Sequence, residues 1–572
     1  MSAGSGDDSL CTVFVAPSGS SNFTTCGSRA APCDITVALV SALCPPTQGT
    51  RVAMLPGLYT KFLILADRAE ILTLLEPADE NQDPVHWSTP PLGNNPLLAI
   101  DSSIWIRNVH FLGNPGDYTW SLSFQAFPSV SNVTLLLRVE NCTFQRVFGI
   151  HAVVHPGHFE VLVDVQDSVF SDIHASPPVM NSTDMPLVLQ SSSSAYCGMG
   201  ISVFGANSVN VRGCSFENIT LNLQYLSESA VSDWSSLLGG AAINIHGLEA
   251  NIVDTSFDGN TLAITRASAV PVSSVVSGLS YFCGGAVFLD VQAGSFSQGV
   301  MTNNTLRVSG GEVDFNVLGG GGLCLASSSV TAFQIQYSNF SGNAAHVHDS
   351  QAWTFTVGGG GAILSFTQPV EIGASHFEGN IAIARNLAAI FHPSVLLLDH
   401  HQVGNRFGGG ALYGNHFEVQ NCFFMHNSAH LSNLTAVEAI AALNFVGGGA
   451  VFSNVLNSFG SEFWFNAVES SSLSVNAPLG FNEVAGGAAC ALTMRAVDTL
   501  FSNNMNAAVN VVNIGPKSQS SAGGGAVFSN SFSGENNDFR MNMVMYSGQG
   551  TLGSGGGLLA CFFSVHSTNF SQ

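Results

Sequence analysis

The chain has 572 residues, of which 46% are hydrophobic and only 9% charged, with 60 glycines and a net charge of −23. So apolar a composition excludes a disordered chain, and so much glycine argues against a helical one. The charge reflects a scarcity of bases: Lys occurs only at Lys61 and Lys517. That excludes nucleic acid as a partner, because phosphate binding needs clustered cations.

Met1 to Leu10 is polar and lacks the apolar core of a secretion signal. Four of the twelve cysteines follow at once: Cys11, Cys26, Cys33 and Cys44. Such clustering predicts two disulfides in an oxidising compartment, with Cys26 to Cys33 and Cys11 to Cys44 as the expected pairs. Buried free thiols are the alternative. Metal ligation is not expected, since no Cys-x-x-Cys occurs. Asp34 is placed to cap a short apolar helix over 35–43, ITVALVSAL, which would cover an open sheet end. Residues 51–60, RVAMLPGLYT, read as strand, turn, strand. Residues 1–95 are thus expected to be a capping segment with a first turn, and 96–572 a repeat domain.

Two patterns alternate through that repeat domain. One is Gly-Gly before a small or aliphatic residue, ending at Gly240, Gly285, Gly322, Gly361, Gly410, Gly449, Gly487, Gly525 and Gly557. The other is Phe-x-x-Asn, as in Phe340/Asn343, Phe377/Asn380, Phe424/Asn427, Phe463/Asn466, Phe501/Asn504 and Phe539/Asn542. Met301/Asn304 keeps the pattern with Met for Phe, and Phe144, Phe170, Phe216 and Phe570 keep the aromatic alone. The late copies recur near every 38 residues. A fixed period of this length is the mark of a solenoid. Each unit holds strands too short to pair within itself, so each must pair in parallel with the same strand of the next coil, about 4.8 Å away. Identical positions then stack: Phe as an inner column, Asn as a ladder of side-chain amides at a turn. The expected fold is all-β, a single-stranded right-handed parallel β-helix with thirteen anchors from Phe111 to Phe570.

The longest connections run from Asn to the next Gly-Gly: 261–283, 381–407, 428–446, 467–485 and 505–522. They are expected on one edge, either packing on one another as an extra layer or forming a binding face. Residues 508–514, AVNVVNI, have the character of a strand.

The Cys-rich start with CGSRAAPC at 26–33 and LPGLY at 55–59 resembles the opening of pectin-lyase-like β-helix proteins. The alternating Gly-Gly-Ala and Phe-x-x-Asn patterns resemble the passenger repeats of bacterial polymorphic outer-membrane proteins. The resemblance implies a surface adhesin, with a glycan or surface protein as partner. No barrel segment is read after the repeats, and no run of 18 apolar residues suggests a spanning helix. The sequence stops at Asn569-Phe570-Ser571-Gln572, inside a repeat, so a longer parent protein is expected.

Many β-helices are polysaccharide lyases or hydrolases, which is the alternative reading. Such an enzyme needs paired carboxylates on one outer face. In the six residues after each Gly-Gly copy the only carboxylate is Asp290. Glu217 and Asp258 each follow a column Phe and would stack outward as a pair, with Asp172 one residue out of step. Solvated acids on a sheet face are the plainer reading. His151, His155 and His158 cluster, and His426 and His430 are four apart, but no helix is expected to converge them on a metal. Trp87, Trp105, Trp120, Trp234, Trp353 and Trp464 offer either sugar stacking or local packing. Asn22, Asn132, Asn141, Asn181, Asn218, Asn303, Asn339, Asn433 and Asn569 head Asn-x-Ser/Thr sequons, which are candidate glycosylation sites in a secreted chain. No cofactor is expected.

Overall fold

In the computed structural model, one repeat makes one coil. After Gly449 the chain runs through Val451–Phe459, then Glu462–Trp464, then Ala467–Asn476 and Leu479–Ala485, and arrives at Gly486. Each strand pairs in parallel with its counterpart one repeat later, for instance Phe463 with Phe501 and Val451 with Ala489. The result is three all-parallel sheets: a Gly-Gly sheet, a Phe sheet of three- and four-residue strands, and a third sheet between the Asn turn and the next Gly-Gly. This is a β-solenoid architecture, with no helix among the described residues. The structure describes residues 10–571 except 23–25, 36–43, 45–48, 80–84, 89–95, 114–119, 128–132, 156–159, 177–197, 227–235, 268–278, 311, 328, 350, 391–401, 438–440, 478, 514–518, 549–550 and 555.

The chain divides into two units: 1–175 with 199–219 and 243–256, and 176–198 with 220–242 and 257–572. In the first unit the Phe sheet starts two coils before the first expected anchor. Tyr59 and Trp87 occupy the column of Phe111, Phe144, Phe170 and Phe216. The Phe-x-x-Asn pattern does not flag these rungs, because Tyr and Trp replace Phe. The strand-turn-strand expected over 51–60 is present as Thr50–Met54 and Gly57–Tyr59. Thr50–Met54 pairs on one side with Cys11–Ser20 and on the other with Leu63–Pro77. Disulfides join Cys11 to Cys44 and Cys26 to Cys33, as expected. All but the first residue of the expected helix lies outside the described residues. Asp34, expected to cap it, forms an ion pair with Lys61.

In the second unit the rings of Phe340, Phe377, Phe424, Phe463, Phe501, Phe539 and Phe570 stack with centroids 4.7–5.0 Å apart. The Asn turn is a continuous buried ladder. Asn466 accepts from the backbone N–H and the Nδ2 of Asn427, and donates Nδ2 to Asn504 Oδ1 and to the carbonyl of Phe424, all at 3.0–3.1 Å. Both buried amide groups and a turn carbonyl are thereby satisfied without water.

A second ladder escaped the sequence reading. From Phe144 to Phe539, the residue two before each column Phe is Ser, Thr, Cys or Asn: Cys142, Ser168, Cys214, Thr255, Ser338, Ser375, Cys422, Ser461, Thr499 and Asn537. The hydroxyls and thiols donate back to the carbonyl two residues earlier, as Ser338 does to Gln336 at 2.8 Å. Several also accept the N–H of the preceding coil, as Ser461 does from Cys422 at 3.1 Å. This explains why Cys142, Cys214 and Cys422 are buried free thiols; burial pushes the first two up to about 12 and the third to about 11. A third ladder, Asn405–Asn444–Asn482, lies inside the third sheet.

The segments expected to be edge insertions are largely strands. Ser428–Val437, Ala467–Asn476 and Met505–Asn513 pair in register, and so do Ala441–Gly447 and Leu479–Ala485. Of the two readings, packing on one another holds, with a strand at Met505–Asn513, and the loop edge does not: these residues form a wall of the solenoid, with inward positions such as Leu434, Val475 and Val484 buried. Their strand alternation is masked in the sequence because left-handed Asn433 and Ser472 shift it by one position in mid-strand.

The Gly-Gly corner needs glycine for two separate reasons. Gly486 has φ 63°, in the left-handed region. Gly487 has no such φ, but a Cβ there would lie 2.0 Å from the carbonyl oxygen of Gly525 on the next coil. On the outside of this corner the sheets meet in a second packed seam. Tyr413 and Phe452 stack at 5.0 Å, and Phe445 meets Phe452 and Phe528 edge-on. Cys283 and Cys324 form a third, unanticipated disulfide within this seam.

Candidate functional site

Of the carboxylates proposed for an enzyme, Asp172 is out of step with Glu217, as expected. Glu217 pairs with Ser171, so Asp172 sits one step further along, at a left-handed corner with φ 54°. Glu217 accepts from Ser215 Oγ at 2.7 Å, and Asp172 from Gln145 Nε2 at 3.3 Å. Both belong to the first unit, and Asp258 to the second. Among the described residues no group of three or more His, Cys, Asp or Glu side chains is arranged to hold a metal, and no helix is long and apolar enough to cross a membrane.

The histidines are likewise separated. His151 lies against Trp120 at 4.9 Å, and burial pushes its imidazole down to about 4. His155 stacks on Phe127 at 4.7 Å, and His158 lies outside the described residues. His426 stands at the corner after the Phe sheet, while His430 is on the third sheet, held by Ser428 and Glu469. Trp87 is a buried column residue, and Trp105 lies under Arg138. Trp234 lies outside the described residues, as do Asn132 and Asn181. Of the other sequon asparagines, Asn141, Asn218, Asn303 and Asn433 occupy left-handed corners, and Asn22, Asn339 and Asn569 are exposed.

What the second unit does bring together is an aromatic patch on the outer face of the Phe sheet. The strand alternation sends Phe377, Phe424 and Phe463 inward, so the residues on either side of each point outward. Three adjacent coils thereby present His376 and Glu378, Phe423 and Met425, and Glu462 and Trp464. His376 stacks on Phe423 at 5.1 Å and meets Glu378 at 3.3 Å. Trp464 donates its indole N–H to Glu462 at 2.8 Å.

The corner next to this face is unusual. From Phe257 to Phe539 the residue two after each column position is left-handed: Gly259, Asn303, Gly342, Gly379, His426, Phe465, Asn503 and Met541. At His426 and Phe465 bulky rings take that conformation, with φ 54° and 52°. Such a residue costs about 1–2 kcal/mol relative to glycine. The two rings stack at 5.2 Å, Trp464 lies 6.2 Å from Phe465, and Phe465 is 46% exposed. Flat rings beside carboxylates and imidazoles suit a ligand with both apolar faces and hydroxyl edges. Phe463-Trp464-Phe465 stands where the next repeat has Phe501-Ser502-Asn503 and the preceding one Phe424-Met425-His426.

No protein-family model matches the chain, and neither a curated protein nor a solved structure is detectably similar to it.

Proposed function

We propose that the chain is an extracellular or cell-surface adhesive β-solenoid that binds glycans, with the patch around Trp464 and Phe465 as a contact surface. The proposal includes right-handed winding and kinship with pectin-lyase-like and polymorphic outer-membrane passenger proteins, both resting on the resemblance of the repeats. The observation that carries the binding role is the exposed, stacked His426–Phe465 pair in strained left-handed corners. A solenoid corner that tolerates Gly gains nothing in stability from a half-exposed Phe, so strain retained there points to a ligand. The three disulfides support an oxidising compartment.

A glycan array on the purified chain tests this, with Trp464→Ala/Phe465→Asn as the comparison. Asn accepts the left-handed corner, so the fold is retained and circular dichroism should be unchanged. Loss of a stacking pair should weaken binding by roughly 1–3 kcal/mol, about 5- to 150-fold. A wild-type array without hits, or a double variant that binds as wild type, overturns the assignment. A reducing-sugar assay on the hits, repeated with Glu217→Gln/Asp258→Asn, examines the hydrolase alternative; turnover lost in that variant would favour it.

A further inference from the structure

The third sheet of the second unit carries a cationic cluster on its outer face. Arg307 pairs with His346 on the next coil, and His348, two residues along, pairs with Arg385 on the coil after that. In Thr305–Ser309 and Ile381–Arg385 the neighbouring positions Leu306, Val308, Ala382 and Ala384 are buried, so both arginines project outward and are exposed. Four basic groups thus lie on three consecutive strands of a chain that has only 15 Lys and Arg in all.

Other arginines are neutralised within the protein: Arg51, Arg107 and Arg138 share Glu76, Glu140 and Asp164. Arg307 and Arg385 form no ion pair with any described residue. One carboxylate lies close, Asp349 beside His348; it accepts from Asn386 at 2.8 Å and pairs with neither arginine. The local field is positive enough to act on the histidines. Burial first, then the charges of Arg307, His348 and Arg385, push His346 down to about 4. His348 is lowered by burial and Arg385, against the opposing charge of Asp349.

We propose that Arg307, His346, His348 and Arg385 form a docking site for a sulfated glycan. Two coils and two residues separate the arginines, roughly 12 Å between backbone positions for strands about 4.8 Å apart. That separation suits successive sulfates on an extended sugar chain better than one small ion. The coil repeat is close to the length of one sugar ring, so a polysaccharide lying along the stack meets Arg307 and Arg385 in turn. Neutral imidazoles between them donate N–H groups without adding charge. This site stands on a different sheet from the aromatic patch and does not depend on it.

Isothermal titration with a heparin-derived hexasaccharide and with its fully desulfated counterpart tests the inference. Wild type should bind the sulfated probe, with affinity falling as salt rises, and should not bind the desulfated one. Arg307→Ser/Arg385→Ser should weaken binding at least tenfold with an unchanged melting temperature, since both side chains are exposed. Trp464→Ala/Phe465→Asn should leave it unchanged, which separates this site from the aromatic one. If the wild type ignores the sulfated probe, binds both probes alike, or keeps its affinity in the arginine double variant, the site is not an anion site. Should both probes bind alike and the Trp464/Phe465 variant lose them, the aromatic patch alone is the glycan surface.

Discussion

Replacing Asn466 by Ala tests the ladder on which stacking depends. The side chain takes part in four hydrogen bonds and is fully buried. Its loss leaves the Asn427 backbone N–H and the Phe424 carbonyl without those partners in a site closed to water. Each stranded group costs about 1–3 kcal/mol, and further loss comes from Asn427 Nδ2, so about 3–5 kcal/mol is expected. Asn466→Asp keeps the acceptor toward Asn427 but sets an oxygen against the Phe424 carbonyl and Asn504 Oδ1, so it should also destabilise. Asn503→Gly, beside Asn504 on the next coil at a left-handed corner with φ 55°, is the control and should change stability little. Thermal melts by circular dichroism, with hydrogen exchange at the Asn427 amide, measure the effect. If Asn466→Ala melts with the wild type, or if Asn466→Asp is as stable as the native chain, the buried-ladder account is wrong.

Phe501→Ala should cost about 3–5 kcal/mol, because Phe501 is fully buried between Phe463 and Phe539 at 5.0 and 4.8 Å; a coincident melt would refute the column. Glu483 is held by burial at about 7, up from 4.5. A raised carboxyl pKa means that the folded state keeps a proton the unfolded chain releases. Stability should therefore fall between about pH 4.5 and pH 7, by at most about 3 kcal/mol, and level off above. Glu483→Gln should flatten that part of the stability–pH profile, and a slope that persists in the variant would contradict the assignment. Mass spectrometry of a non-reduced digest should find Cys283 linked to Cys324, as well as the two N-terminal pairs. Alkylation of Cys283 without reductant would rule the third bridge out.

The sequence by itself determined the stacking. A Phe and an Asn repeated at a fixed spacing have one economical arrangement, in-register parallel stacking, and the observed Phe463–Phe501 and Asn466–Asn504 pairs follow from it. The N-terminal disulfide pairs were legible for a similar reason, since four cysteines within 44 residues leave few partners. Other features were decided only in three dimensions. The third sheet was hidden because a left-handed residue in mid-strand, Asn433 or Ser472, shifts the inside–outside alternation by one position. The Ser/Thr/Cys ladder was hidden because chemically different side chains fill one geometric role, donating to the carbonyl two residues back. Cys283 and Cys324 lie 41 residues apart and meet only because coiling brings one coil's Gly-Gly corner over the next. Neither surface cluster follows from local sequence. Arg307, His346 and Arg385 are far apart along the chain, and Phe465 is notable only once its corner is known to be left-handed. Periodicity is a property of the chain, whereas a surface belongs to several coils at once, so sequence reveals the stack before it reveals the site.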